Sequence, residues 1–243
     1  MHFISEQLID GNLVERHFTL DGIPGILWMP DNSPEPLPLV LLGLPGGPNG
    51  LEQMHPRLLR RAQQAAAEGF AAAALELPGG GIRPGIDDLD KARVDLQRAI
   101  KSGEPVSNDI VDRLVLPLVD QAVPELQALL DALLALPEIG GPVGYSGGVI
   151  SIGVRLAAVD PRVVAAQLFA GSFVPRAIHE QAKEITIPIH VLLQWDDEFN
   201  DRQAALDLYD AFGSAEKTLE ANLGGHRGVP GFAGHGFLAR HLS

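Results

Sequence analysis

The sequence predicts an α/β protein, a mostly parallel central sheet with helices on both faces. Three observations carry that prediction. Short apolar runs, Leu39 to Leu42, Phe70 to Leu75, Val163 to Phe169 and Ile189 to Gln194, have the length and composition of strands buried on both faces of a parallel sheet. Between them lie segments with apolar residues at helical spacing, so strand and helix alternate along the chain. A length of 243 residues, 46% of them hydrophobic, is enough to fill one sizeable core.

The elements follow in order. Glu15 to Leu20 and Gly25 to Met29 suit an antiparallel hairpin with Asp21-Gly22 near its turn. The proline-rich stretch Pro30 to Pro38 leads into the Leu39 strand, and a long loop leads out of it. Leu51 to Glu68 reads as a helix, Phe70 to Leu75 as a strand and Gln121 to Leu136 as a helix. Pro142 to Tyr145 is the next strand, Val149 to Val159 a helix, and Val163 to Phe169 and Ile189 to Gln194 strands. Arg202 to Phe212 is a helix, Lys217 to Ala221 the last strand and Phe232 to His241 the closing helix.

Right-handed crossovers between such strands gather ligands beyond their carboxyl ends. The whole chain, 1–243, reads as one domain, with 79–120 as an insertion holding two short helices, Ile86 to Lys101 and Asn108 to Val119. An insertion at strand carboxyl ends is expected to cap the crevice, with the apolar cluster Leu114, Val115, Leu116, Leu118 and Val119 beneath it. A surface helical hairpin without contact to substrate is the alternative.

Composition excludes several classes. Lys+Arg 18 against Asp+Glu 31 gives a net charge of −13, which repels nucleic acid and anionic lipid. The start, Met1 to Gln7, lacks a positively charged region followed by an apolar core, and no apolar run is long enough to cross a bilayer, so a soluble cytoplasmic protein is expected. The absence of cysteine rules out disulfides, thiolate catalysis and cysteine-ligated metals. The eight histidines are scattered without an H-E-x-x-H or similar pair, so neither a metal nor an organic cofactor is expected. Whether the chain self-associates is left open.

Gly144-Tyr145-Ser146-Gly147-Gly148 follows a strand-like start and opens a helical stretch, the setting and the G-x-S-x-G spelling of a nucleophile elbow. There the serine is expected in a strained turn that lifts its hydroxyl clear of the sheet. A serine hydroxyl needs an imidazole to take its proton and a carboxylate to orient that imidazole. Trp195-Asp196-Asp197-Glu198, after the Ile189 strand, offers three acids in one turn. After the Lys217 strand, Asn222-Leu223-Gly224-Gly225-His226-Arg227-Gly228 places a histidine in a glycine-rich turn at the same edge, with His235 its one serious rival. The N–H of Gly147 and a donor from the loop Gly43 to Gly50 are expected to receive an oxyanion.

The order serine, acid, histidine, at three strand ends, resembles the α/β-hydrolases, in particular the dienelactone hydrolases and small serine esterases. The resemblance runs from the Leu39 strand to the final helix. In that family the acid commonly stands three residues after the position that ends its strand; Gln194 is that position here, which implies Asp197 before Asp196 or Glu198. The family usually carries His-Gly where this chain has Leu44-Pro45. Proline lacks an N–H, so the second oxyanion donor falls to Gly46 and then Gly47. Pro78-Gly79-Gly80-Gly81 likewise lacks the family's histidine. Tyr145 and Gly148 are expected to pack the elbow, and Trp195 and Phe199 to line an acyl pocket or complete the core.

The resemblance thus implies a serine hydrolase for a small-molecule acyl substrate, a carboxylic ester, lactone or thioester, working through an acyl-enzyme without a cofactor. The altered loops keep a second class open: a non-hydrolytic lyase, cyclase or acyltransferase, or a ligand-binding module.

Overall fold

The structure, a computed structural model, describes every residue except Ser172, Phe199, Arg227, Gly228, 230–233 and His235. The expected hairpin is formed by β2 (Leu13–Leu20) and β3 (Ile23–Pro30), paired antiparallel. Asp21 and Gly22 join them with φ 50° and 84°, the left-handed pair that matches a two-residue turn to strand twist. A further strand that the sequence pattern did not disclose, β1 (His2–Ile9), pairs antiparallel with β2 at the sheet edge. Most of its side chains are exposed, so it carries no apolar alternation to read.

The chain then runs through β4 (Leu37–Gly43), α1 (Leu51–Ala67), β5 (Ala71–Leu75), α2 (Asp87–Ser102), α3 (Asn108–Leu133), β6 (Ile139–Gly147) and α4 (Ile150–Val159). It continues through β7 (Val163–Phe169), α5 (Arg176–Glu184), β8 (Ile189–Gln194), α6 (Arg202–Ala211), β9 (Lys217–Asn222) and α7 (Phe237–Leu242). Among the described residues nine strands make one sheet, ordered β1-β2-β3-β5-β4-β6-β7-β8-β9 and parallel from β5 to β9. The path steps from β4 outward to β5, then returns past β4 to β6. This reversal opens the crevice at the carboxyl ends of β4 and β6.

Adjacent residues of β6 show how the two faces are covered. A side chain at Gly144 would strike Leu238 and Leu242 of α7, whereas Tyr145 packs against Gly153 of α4 on the other side. Ser146 therefore faces α7 and α1, as Gly144 does.

α1 is fixed to the sheet by tertiary contacts. Its first turn lacks a capping side chain of its own, and the Glu76 carboxylate beyond β5 accepts from Leu51 N–H at 2.8 Å. Burial pushes the Glu76 carboxyl up, against hydrogen bonds from Leu51 and Leu77. One turn further on, His55 reaches the fully buried Glu15 of β2, which also meets Gln7, His17 and Trp28.

Three helices differ from expectation, one of them α5, which fills a stretch between the Val163 and Ile189 strands that was assigned no element. The stretches 108–119 and 121–136 were expected to be separate, but α3 runs unbroken through Pro117 and Pro124. Each proline costs about 3 kcal/mol in a helix interior. Against that stands a continuous buried stripe from Val115 through Leu118, Val123, Leu126 and Leu130 to Leu133, each large apolar side chain worth about 1.5–3 kcal/mol. The closing helix begins only at Phe237; residues 232–233 and His235, which fell in its expected first turns, lie outside the described residues. Among the described residues no helix is long and apolar enough to cross a membrane.

Candidate active site

β8 and β9 are parallel neighbours, so the loops leaving their carboxyl ends emerge side by side. Backbone bonds stitch the two turns together, Trp195 N–H to Asn222 O at 2.8 Å and Asp196 N–H to Gly224 O at 3.2 Å. The Gln194 side chain adds a bond to Gly225 O at 3.2 Å. Across this seam Asp197 Oδ2 lies 2.9 Å from His226 Nδ1. Asn200 holds the carboxylate from behind, through its backbone N–H to Oδ1 at 3.1 Å and its side-chain amide to Oδ2 at 2.9 Å. Of the three acids in the turn, Asp197 meets the imidazole and Glu198 accepts the His226 backbone N–H at 3.0 Å, a bond that holds the Glu198 carboxyl below its ordinary range. Asp196 is exposed.

Ser146, Asp197 and His226 line one cavity of about 890 Å³. Gly46 and Pro45 form part of its rim, and Gly148 lines it while Gly147 is buried behind the serine. No lining residue among those described comes from 79–120. The α2–α3 hairpin packs toward α4, and Leu118 is the side chain that approaches Gly46.

The turn after β6 departs from expectation. Ser146 still belongs to the strand, with Leu42 and Gln167 as its lateral neighbours, and it is not among the residues of positive φ. The left-handed positions are Gly147 at φ 74° and Gly148 at φ 73°. Glycine carries no Cβ penalty there, so the chain turns into α4 one residue later than a serine-centred elbow would. A Cβ at Gly147 would also lie 2.7 Å from Arg61 Nη2 and from the Phe169 ring.

Because Ser146 stays in the strand, its hydroxyl points along the sheet face between α1 and α7. It donates to Gln167 Oε1 at 3.1 Å and accepts from Arg61 Nη2 at 3.2 Å. Arg61 also donates to the backbone carbonyls of Ser146 and, at 3.2 Å, Gly43. Burial pulls the Arg61 guanidinium down to about 10, so it remains a cation at neutral pH. Gln167 continues to His190 Nδ1 at 3.3 Å, and His190 Nε2 to Glu220 at 3.3 Å, a polar row across β6, β7, β8 and β9.

Arg61, Gln167 and His190 were not singled out as site residues. The signals were present: Arg61 joins the buried stripe of Leu58, Ala62 and Ala65, and Gln167 and His190 interrupt apolar strands. Trp195 is not part of the cavity wall; its ring lies 4.2 Å under the Arg202 guanidinium, and Phe199 is outside the described residues.

No protein-family model matches the sequence, and neither does any curated protein. Solved structures do. A cold-adapted esterase from an Arctic intertidal metagenomic library is 27% identical, with each chain fully covered and a TM-score of 0.75. A candidate dienelactone hydrolase from Klebsiella pneumoniae is 16% identical over 88% of each chain, with a TM-score of 0.62. Acetyl xylan esterase 1 from a Thermoanaerobacterium species is 14% identical, covering 98% of this chain and 85% of its own, also at 0.62. The strand order, the crevice at its reversal and these neighbours show that the chain has an α/β-hydrolase-like fold, similar to solved structures of esterases and dienelactone hydrolases.

Proposed function

We propose that the chain is a serine hydrolase that cleaves a small carboxylic ester, lactone or thioester through an acyl-enzyme. The observation that carries this is the 2.9 Å pair of Asp197 and His226 on the same cavity as Ser146. For attack the hydroxyl leaves Gln167, gives its proton to His226 Nε2, and its oxygen bonds to the acyl carbon. Asp197 stabilises the imidazolium through Nδ1. The N–H groups of Gly46 and Gly147 receive the oxyanion, with Gly148 on the cavity wall as a further donor. His226 then protonates the departing alcohol or thiol, and water, deprotonated by the same imidazole, releases the acid. Arg61, held against Ser146, is a positioning residue that also favours negative charge on the oxygen. The cavity, about 890 Å³, falls within the range of small-molecule sites. Acetyl xylan esterases among the structural neighbours fit a short acyl group.

The wild type is expected to be labelled by a fluorophosphonate and to hydrolyse p-nitrophenyl acetate. Ser146→Ala should lose both, and Asp197→Asn should lower kcat about 10⁴-fold. Turnover retained by Ser146→Ala would sink the proposal. One observation favours the non-hydrolytic alternative, a ligand-binding module, lyase, cyclase or acyltransferase: the serine is only 7% exposed and engaged by Gln167 and Arg61. A folded wild type in which Ser146 stays unlabelled would support that alternative.

A further inference from the structure

Outside the cavity, β2 and α1 bring together three ligating side chains whose sequence spacing gave no metal motif. We propose that Glu15, His17 and His55 form a binding site for a divalent cation of the zinc class. One ligand atom from each, a carboxylate oxygen and one ring nitrogen of each imidazole, can be chosen so that all lie within 4.8 Å of one another. His17 Nε2 stands 3.0 Å from one oxygen of Glu15 and His55 Nε2 2.7 Å from the other. A tetrahedral zinc ion with bonds of about 2.0–2.1 Å separates its ligand atoms by about 3.4 Å, so the triangle is already near the required size. Two imidazoles and a carboxylate are a zinc set, and they leave one position open for water.

The support around the ligands is also that of a metal site. Gln7, Glu15 and Trp28 are lateral neighbours across β1, β2 and β3, and His17, two residues along the strand, shares their face. Trp28 Nε1 donates to Glu15 at 2.6 Å and Gln7 Nε2 at 2.7 Å, which fixes the carboxylate while an ion takes one of its oxygens. Glu15 is fully buried, whereas the His17 and His55 side chains are 40% and 28% exposed, so the ion has an approach from solvent. In the metal-free protein each Nε2–H donates to the carboxylate. To ligate, each imidazole carries its proton on Nδ1 and presents the Nε2 lone pair. A bound ion would staple the hairpin to α1, whose Arg61 lies six residues and about 9 Å beyond His55.

Equilibrium dialysis of tag-free protein against zinc chloride should show about one equivalent of saturable uptake, with a zinc-dependent rise in Tm. His17→Ala and His55→Ala should each weaken it at least about tenfold, and Trp28→Phe about tenfold through the outer hydrogen bond. His226→Ala should leave uptake intact, which separates this site from the Asp197 and His226 pair. Cobalt(II) added to the wild type should give the intense visible bands of a tetrahedral site, a readout that needs no variant should His55→Ala fail to fold. The proposal is overturned by the absence of saturable uptake in folded wild type. It is equally overturned by undiminished uptake in the His17→Ala/His55→Ala double variant, or by a cobalt complex without tetrahedral bands.

Discussion

At the scale of single residues, the least expected contact is the Arg61 guanidinium pressed against Ser146. It serves three acceptors at once, Gly43 O, Ser146 O and Ser146 Oγ. The planar fork reaches Gly43 with Nη1 and Ser146 with Nη2, a two-nitrogen geometry that the single nitrogen of a lysine does not reproduce. Hydrogen bonds from a charged donor contribute about 1.5–3 kcal/mol, so Arg61→Lys is expected to lower kcat for p-nitrophenyl acetate by about ten- to a hundredfold with little change in KM. Arg61→Ala should also lower Tm, because two carbonyls then lose their partner; comparison of the two variants by scanning fluorimetry and steady-state kinetics separates positioning from folding. Adjacent arginines on a helix ordinarily mark a solvated face, so the one signal for Arg61 was its place on the buried stripe, three residues after Leu58 and four before Ala65.

At the scale of elements, the strand-to-helix turn depends on two successive glycines. Gly147 takes a left-handed conformation with no room for a Cβ, while Ser146 keeps the strand register between Leu42 and Gln167. Gly147→Ala is expected to cost about 1–2 kcal/mol for the backbone and about 1–3 kcal/mol for displacing Arg61 and Phe169. Thermal unfolding would show the loss, and activity should fall with it because the same displacement moves the Ser146 contacts. The G-x-S-x-G spelling located this turn but did not specify which residue bears the left-handed angle. The α3 helix teaches a related lesson: its two prolines gave a local stop signal, and burial of one long apolar stripe outweighed it. β1 escaped notice because an exposed edge strand is selected by pairing with β2 and has no hydrophobic period of its own.

For the whole molecule, one consequence of the packing is a dependence of stability on pH. Burial lowers the His190 pKa from its ordinary 6.5, against the pull of the Glu220 carboxylate and with help from Arg240. The folded protein therefore keeps this imidazole neutral while the unfolded chain takes up a proton below 6.5. Its contribution to stability is present above that value and is lost as the pH falls. His190→Gln should accordingly show a shallower fall of Tm between about pH 7 and about pH 5 than the wild type, measured in matched buffers. Equal slopes would mean that the row from Ser146 to Glu220 does not couple to protons.

The sequence by itself determined the alternation of buried strands and helices, the single sheet, and the order in which Ser146, Asp197 and His226 arrive at its edge, because hydrophobic period and turn chemistry are local properties. Only the tertiary structure decided that Arg61 and Gln167 hold the serine and that Glu76 caps α1. It alone also gathers Glu15, His17 and His55 into one cluster. Those contacts join residues many positions apart through strand order and helix placement, and no local pattern encodes a distance across a sheet.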